Sequence, residues 1–175
     1  MKMKEIRLNT ELIYDGKILK LYKDSVKCPN GKTAAREIVK HNGGSAVLCI
    51  KDDKVLLISQ YRYAYDEVIY EIPAGKLEVG EDPHTAALRE LEEETGNKAL
   101  KLEYLGKIYP SCGYTNEIIH LFLASDYVET QTSFDEDEFI EASYIPLKDV
   151  KKMILDGTIT DAKTICAIGY YLLKN

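Results

Sequence analysis

The hydrophobic and polar positions of the chain change rhythm near "KHNGGSAV", residues 40–47. Before that point apolar and polar residues alternate in short pieces, "ELIYDGKILKLYKDSV" and "KTAAREIV", separated by Pro29, Asn30 and Gly31. Alternation with a period of two, broken by turn residues, predicts strands joined by a hairpin. Residues 1–40 are therefore expected to form an antiparallel β arm. Beyond it the apolar runs lengthen: "SAVLCI", a "KDDK" turn, "VLLISQYRY", then "VIYEIPAG" ending on Pro73 and Gly75, followed by "LEYLGKIY", "EIIHLFLAS" and "EFIEASYIP". Each reads as a strand. Two late segments, "LKDVKKMILDG" and "DAKTICAIGYYLLK", space their apolar residues at the helical period, with Gly157 as a stop and Asp161 as a start. One further helix is expected between strands, from about residue 83 to 95: Asp82 suits the N-cap, Pro83 the first helical position, and Gly96 a left-handed end. Strands, one helix, strands and then helices predict an α/β or α+β sandwich on a mixed or antiparallel sheet.

Composition narrows the picture. At 175 residues and 45% hydrophobic, the chain has material for one sizeable core. The expected organisation is the arm, 1–40, and one domain, 41–175. A small β layer with little core of its own packs on something larger, its own domain or a second subunit, and a homodimer through the arm is favoured. The net charge is -6, and no run of Lys and Arg interleaves with aromatics, so a nucleic-acid partner is not expected. Cys28, Cys49, Cys112 and Cys166 show no metal or redox spacing and read as free thiols of a reducing compartment. The N-terminus lacks an apolar stretch of signal-peptide length, and no window approaches the roughly 20 apolar residues of a membrane span. A cytoplasmic protein without a membrane partner is expected.

The stretch "GKLEVGEDPHTAALRELEEETGN", residues 75–97, carries the chemistry. At about 100° per residue, Ala87, Leu88 and Leu91 form an apolar stripe. Glu90 and Glu94 fall beside its edge with Glu93 next to them, while Glu92 and Arg89 face away. Like charges four apart cost an isolated helix a few tenths of a kcal/mol. Two explanations compete. A Glu-rich helix can be a solvated face, though such faces normally mix signs and here only Arg89 stands among the acids. Alternatively Glu90 and Glu94, with Glu93 nearby, bind a hard divalent cation, which takes oxygen ligands and completes its shell with water and substrate phosphates.

This stretch resembles the signature of the Nudix hydrolases, G-x5-E-x7-R-E-U-x-E-E-x-G-U with U a bulky aliphatic. Gly75, Glu81, Arg89, Glu90, Leu91, Glu93, Glu94 and Gly96 fall in register, and Asn97 replaces the final aliphatic, whose packing Ala99 or Leu100 is expected to supply. The resemblance extends over most of the chain and is nearest to the ADP-ribose pyrophosphatases, through "REIVKHNGGSAV", "QYRYAYDEVIYEIPAGKLEVGE", "YPSCGYTNEIIHLFLA", "DEDEFIE" and "DAKTICAI". One marker differs: Ser111, Cys112 and Gly113 stand where many such enzymes have Ser-Pro-Gly. The resemblance implies a Nudix α/β/α sandwich with a mixed sheet beside the antiparallel arm, and a homodimer whose N-terminal strands help to build the nucleotide site. It also implies metal ligation by Glu90, Glu94 and the backbone carbonyl of Ala74, with Glu93 as a supporting carboxylate or a ligand to a second metal, and Arg89 orienting the cluster by pairing with Glu81. An acidic loop, here Glu136 and Glu138, supplies the water-activating base and a further metal contact; the base is open between the two, and the metal contact falls to Glu138.

Other residues are candidates for substrate contact. Arg62, ending a strand, suits a diphosphate, because a guanidinium holds two phosphate oxygens at once; an ordinary salt bridge is the plainer alternative. Arg36 is a candidate to reach across the dimer toward the nucleotide, and Glu117 in "GYTNE" is a third. Tyr61, Tyr63 and Tyr65 read first as strand packing and second as a site for adenine or ribose. A diphosphate repels an approaching hydroxide, so its cleavage needs that charge neutralised, a water deprotonated and the attack aligned; a carboxylate-held Mg²⁺ cluster, with Mn²⁺ as a substitute, is suited to all three. The expected reaction is hydrolysis of a nucleoside diphosphate sugar, with ADP-ribose giving AMP and ribose 5-phosphate as the leading case. Another nucleotide sugar, FAD or a diadenosine phosphate is the alternative within enzymes, and a non-catalytic ADP-ribose sensor the alternative outside them.

Overall fold

The computed structural model describes residues 3–134 and 139–174. They form two compact units: residues up to Gly43 together with Ser111–Glu117, and Gly44–Pro110 together with the chain from Ile118 on.

The first unit is an antiparallel sheet of three strands in sequential order, β1 (Ile6–Asp15), β2 (Lys20–Lys27) and β3 (Thr33–Lys40). The expected hairpin between β2 and β3 closes through Cys28–Gly31, where the Gly31 N–H donates to the Cys28 carbonyl at 2.9 Å. Every residue of β1 is exposed, including Ile6, Leu8, Leu12, Ile13 and Tyr14. Segment Ser111–Glu117 lies alongside β3: Val39 donates to the Tyr114 carbonyl at 2.8 Å and Asn116 to the Val39 carbonyl at 3.2 Å.

The second unit is built on a mixed sheet of seven strands. They are β4 (Gly44–Lys51), β5 (Lys54–Arg62), β6 (Glu67–Glu71), β7 (Ala74–Lys76), β8 (Asn97–Ile108), β9 (Ile119–Glu129) and β10 (Ile140–Pro146). The spatial order is β10-β5-β4-β9-β8, with β6 on β5 and β7 on β4; the β4–β9 pair is parallel. The "KDDK" turn joins β4 to β5 with both Asp52 and Asp53 at positive φ, as a tight hairpin of this handedness requires. The segment read as one strand, "VIYEIPAG", is two: Pro73 has no N–H for a ladder and separates β6 from β7.

Three helices, α1 (Pro83–Thr95), α2 (Leu147–Leu155) and α3 (Ala162–Lys174), complete the unit. β4 is buried along all but its last residue, and its side chains divide between two cores. Ala46, Leu48 and Ile50 pack with Val150 of α2 and Ala167 and Ile168 of α3, while Val47 and Cys49 pack with Ala87 and Leu91 of α1. Helices therefore cover both faces of the sheet, the expected α/β/α sandwich. At about 1.5–3 kcal/mol for each large apolar side chain fully buried, the second of these cores is the main force holding α1 against β4. No helix among the described residues is long and apolar enough to cross a membrane.

Candidate active site

The acidic helix α1 starts and stops where local rules demand. The Asp82 carboxylate accepts from the His84 and Thr85 N–H groups at 3.0 and 3.1 Å, and Pro83 has no N–H to leave unsatisfied. At the other end Gly96 takes φ 64° and its N–H donates to the Glu92 carbonyl at 2.9 Å. Asn97 is buried without an apolar role: its Nδ2 donates to the Thr95 carbonyl and Oγ1, and its Oδ1 accepts from the Tyr144 hydroxyl. Ala99, buried in the α1-side core, supplies the packing expected of Ala99 or Leu100; Leu100 is exposed.

Burial of the Ala87–Leu91 stripe turns the neighbouring carboxylates toward β7. Glu94, only 4% exposed, accepts the Ala74 N–H on Oε2 at 2.9 Å. Glu90 rests against Gly75 so closely that a Cβ there would lie 1.9 Å from its carboxyl carbon. Gly75 is thus required by approach, not by φ. β7 is itself fixed by pairing with β4, Ala74 opposite Ala46 and Gly75 opposite Ser45. Arg89 does not face away. It curls back so that Nε reaches Glu81 at 3.1 Å, while Nη1 reaches Glu90 at 2.8 Å and Glu93 at 3.0 Å. Its pKa is raised, first by the hydrogen bond to Glu81, and the same bond holds Glu81 below the usual carboxylate range. Glu92 turns away, with Lys98 at 3.9 Å.

A second charged group stands beside the first. Glu71 at the end of β6 is 3% exposed and accepts from Arg62 twice, Nε to Oε1 at 2.5 Å and Nη2 to Oε2 at 2.8 Å. The buried Lys163 of α3 also donates to Glu71 Oε2 and lies 3.1 Å from Asp161. Burial pushes the Glu71 carboxyl up, but Arg62 and Lys163 outweigh it and hold the group below its ordinary value. Arg62 is raised, first by its bond to Glu71, and the nearby Glu94 and Asp161 carboxylates add to the effect. The salt-bridge alternative for Arg62 is therefore present, and it leaves the arginine side chain 39% exposed, with Glu94 among the carboxylates acting on it.

The remaining candidates divide among the first unit, residues that are not described, and the β5–β6 hairpin. Arg36 and Glu117 belong to the first unit, where Arg36 pairs with Glu5 and Glu117 lies 3.5 Å from His41 Nδ1. Glu136 and Glu138 lie outside the described residues. Strand packing does not account for the tyrosines: Tyr61, Tyr63 and Tyr65 are all exposed, because they occupy the tip of the β5–β6 hairpin beyond the core. Glu71 and Lys163 were missed by sequence reasoning. Their only signal was a charge inside an apolar run, "VIYEIP", and a lysine on the buried side of an amphipathic helix.

The donor set suits a hard divalent cation. Glu90 and Glu94 converge on the Ala74–Gly75 backbone and offer oxygen alone. No three carboxylate, thiol or imidazole side chains among the described residues gather as a full cage. Mg²⁺ is usually held by one or two carboxylates, with water and phosphate filling the rest of its shell.

The NUDIX domain family matches residues 40–168. An ADP-ribose pyrophosphatase of Bacillus subtilis (strain 168) is 45% identical, over 98% of this chain and 95% of its own. A methanol dehydrogenase activator of Bacillus methanolicus is 43% identical, over 97% and 94%. Among solved structures, an ADP compounds hydrolase superposes with a TM-score of 0.87 at 23% identity, covering 97% of this chain and 93% of its own, which shows the fold alone.

Proposed function

The chain belongs to the Nudix domain family, and on that premise we propose that it hydrolyses the diphosphate linkage of a nucleoside diphosphate sugar, with ADP-ribose giving AMP and ribose 5-phosphate. The observation that carries the proposal is the convergence of Glu90 and Glu94 on Ala74 and Gly75. ADP-ribose is favoured by the name of the Bacillus subtilis relative, which matches almost the whole chain.

Nudix hydrolases generally act with a divalent metal. Here Glu90, Glu94 and the Ala74 carbonyl would hold Mg²⁺, with Glu138 as a further ligand; bound, the ion would neutralise diphosphate charge and favour deprotonation of water. Arg89 keeps Glu81, Glu90 and Glu93 together despite their repulsion. Arg62, with its plane set by Glu71, offers fixed positive charge to the diphosphate. The carboxylate of Glu136 or Glu138 takes a proton from the attacking water. Oxygen of that water bonds to one phosphorus as the bridging P–O bond breaks, and two phosphate monoesters leave. Arg36, reaching across the dimer toward the nucleotide, and Glu117 are further candidates for substrate contact.

The fully exposed β1, an edge strand bearing Ile6, Leu8, Leu12, Ile13 and Tyr14, supports a homodimer through the arm, because a long apolar edge is otherwise an aggregation liability. Sedimentation of the intact chain as a monomer at micromolar concentration would exclude it. Four free thiols support a cytoplasmic location; secretion of the chain in a fractionation experiment would overturn that. Hydrolysis of a panel of ADP-ribose, other nucleotide sugars, FAD and diadenosine phosphates, with Mg²⁺ or Mn²⁺ and chromatographic detection of AMP, tests the activity. ADP-ribose should be the best substrate; another substrate turned over faster would move the assignment within the family, and no hydrolysis with either metal would overturn it.

A further inference from the structure

The "DAKT" segment, Asp161–Thr164, opens α3, with Asp161 just before its first residue. Its side chains do more. Lys163 is buried, its side chain 9% exposed. An ammonium taken out of water costs several kcal/mol unless paired, and buried ion pairs are often replaced by apolar residues without loss of stability. Stability alone is therefore a weak reason for a lysine here. Asp161 ties the segment together: Oδ1 lies 3.1 Å from Lys163 Nζ, and Oδ2 accepts from the Thr164 N–H at 2.9 Å and the Thr164 hydroxyl at 2.6 Å.

From this turn two connections enter the candidate site. Lys163 donates to Glu71, which grips both Nε and Nη2 of Arg62 and so fixes the plane of its guanidinium. Thr164, fully buried, accepts the Ile72 N–H on Oγ1 at 2.8 Å. Ile72 begins a segment pinned at every residue: the Pro73 carbonyl accepts from the Val47 N–H at 2.9 Å, and the Ala74 N–H donates to Glu94. The backbone proposed to offer a metal ligand is thus anchored by a hydroxyl from α3. We propose that Asp161, Lys163 and Thr164 form a positioning element of the hydrolytic site, setting Arg62 through Glu71 and the Ile72–Ala74 backbone through Thr164. This rests on the hydrolase reading above, and it gives the two arms separate signatures. The Lys163 arm acts on diphosphate binding, and the Thr164 arm on metal affinity.

The test compares Lys163→Met, Thr164→Val and Thr164→Ser with the wild type, by steady-state kinetics on ADP-ribose and by Mn²⁺ titration of the substrate-free protein followed by electron paramagnetic resonance. Lys163→Met should raise KM about tenfold while kcat changes less than about threefold, with Mn²⁺ affinity unmoved. Thr164→Val should weaken Mn²⁺ binding about fivefold, and Thr164→Ser, which keeps the hydroxyl, should restore it. A purely structural role would lower thermal stability in both variants and leave KM and Mn²⁺ affinity of the folded protein at wild-type values, which would overturn the proposal. Failure of Lys163→Met to fold still leaves the Thr164 pair to decide: equal Mn²⁺ affinity in the Val and Ser variants overturns the positioning role. A wild type inactive on the whole substrate panel would overturn the hydrolase reading instead, and the metal titration, made without substrate, would stand apart from it.

Discussion

Two arginines in the second unit each hold carboxylates, and the contrast between them separates chemistry from scaffolding. Arg89 serves Glu81, Glu90 and Glu93 at once, three formal negative charges on one positive, at a surface where Glu94 adds a fourth acid nearby. Arg62 shares Glu71 with Lys163, whose other partner is Asp161, so two acids meet two bases. The second group closes on itself and can be buried. The first carries net negative charge beside the glycine that Glu90 leans on, and a divalent cation would lower its energy. A balanced cluster rigidifies; an unbalanced one is a place for a ligand.

The contrast can be broken from either side. The largest effect is expected at Glu71: Glu71→Gln leaves Lys163 buried beside Asp161 without its main counter-charge, and urea denaturation should show a loss of roughly 3 kcal/mol. A loss below about 1 kcal/mol would mean that the balanced cluster behaves like a surface pair. On the unbalanced side, Glu94→Gln should reduce turnover about a hundredfold, near 3 kcal/mol of transition-state stabilisation, with circular dichroism unchanged; wild-type turnover at limiting Mg²⁺ would remove Glu94 from the metal site. Gly75→Ala keeps every charge and moves only Glu90, since the new Cβ would lie 1.9 Å from its carboxyl carbon. A drop of about tenfold in kcat would show that placement matters beside charge, and unchanged kcat would show that it does not.

Smaller effects follow from pH. Glu71 and Glu81 both have folded pKa values below their unfolded ones. Their contribution to stability is fully present at neutral pH, persists down to the ordinary carboxylate range, and is lost as pH falls through the depressed folded values. Glu81→Gln should therefore lower the urea midpoint at pH 7 and converge on the wild type in acid; a gap that widens on acidification would reverse the assigned sign. Smallest of all, Glu92→Gln should change neither stability, within about 0.5 kcal/mol, nor turnover, because its contact is Lys98 at 3.9 Å and not the Arg89 group. A turnover loss comparable to that of Glu94→Gln would erase the distinction between the acids of α1.

Much of this was legible in the chain. The α1 boundaries, the hairpin at Pro29–Gly31, the strand at "SAVLCI" and the pair Glu90 and Glu94 on one edge of a helix follow from spacing and capping. Arg89 was misplaced by the helical wheel, because a wheel gives the direction of Cβ while a long side chain returns wherever acids gather. The tyrosines of "QYRYAY" misled in the opposite direction: alternation suggested packing, but the hairpin carries them past the core.

By itself the sequence determined what depends on residues within a turn or two of each other: caps, strand alternation, and which acids share a face. Capping bonds, left-handed glycine and the helical period act over a few residues, so they can be read without knowing the fold. Only the tertiary structure decided that Glu94 meets Ala74, twenty positions away, and that Glu71 meets Lys163, ninety-two positions away. No local energy couples such residues. They meet because burial of β4 between two cores brings α1 and α3 to the strands that carry their partners.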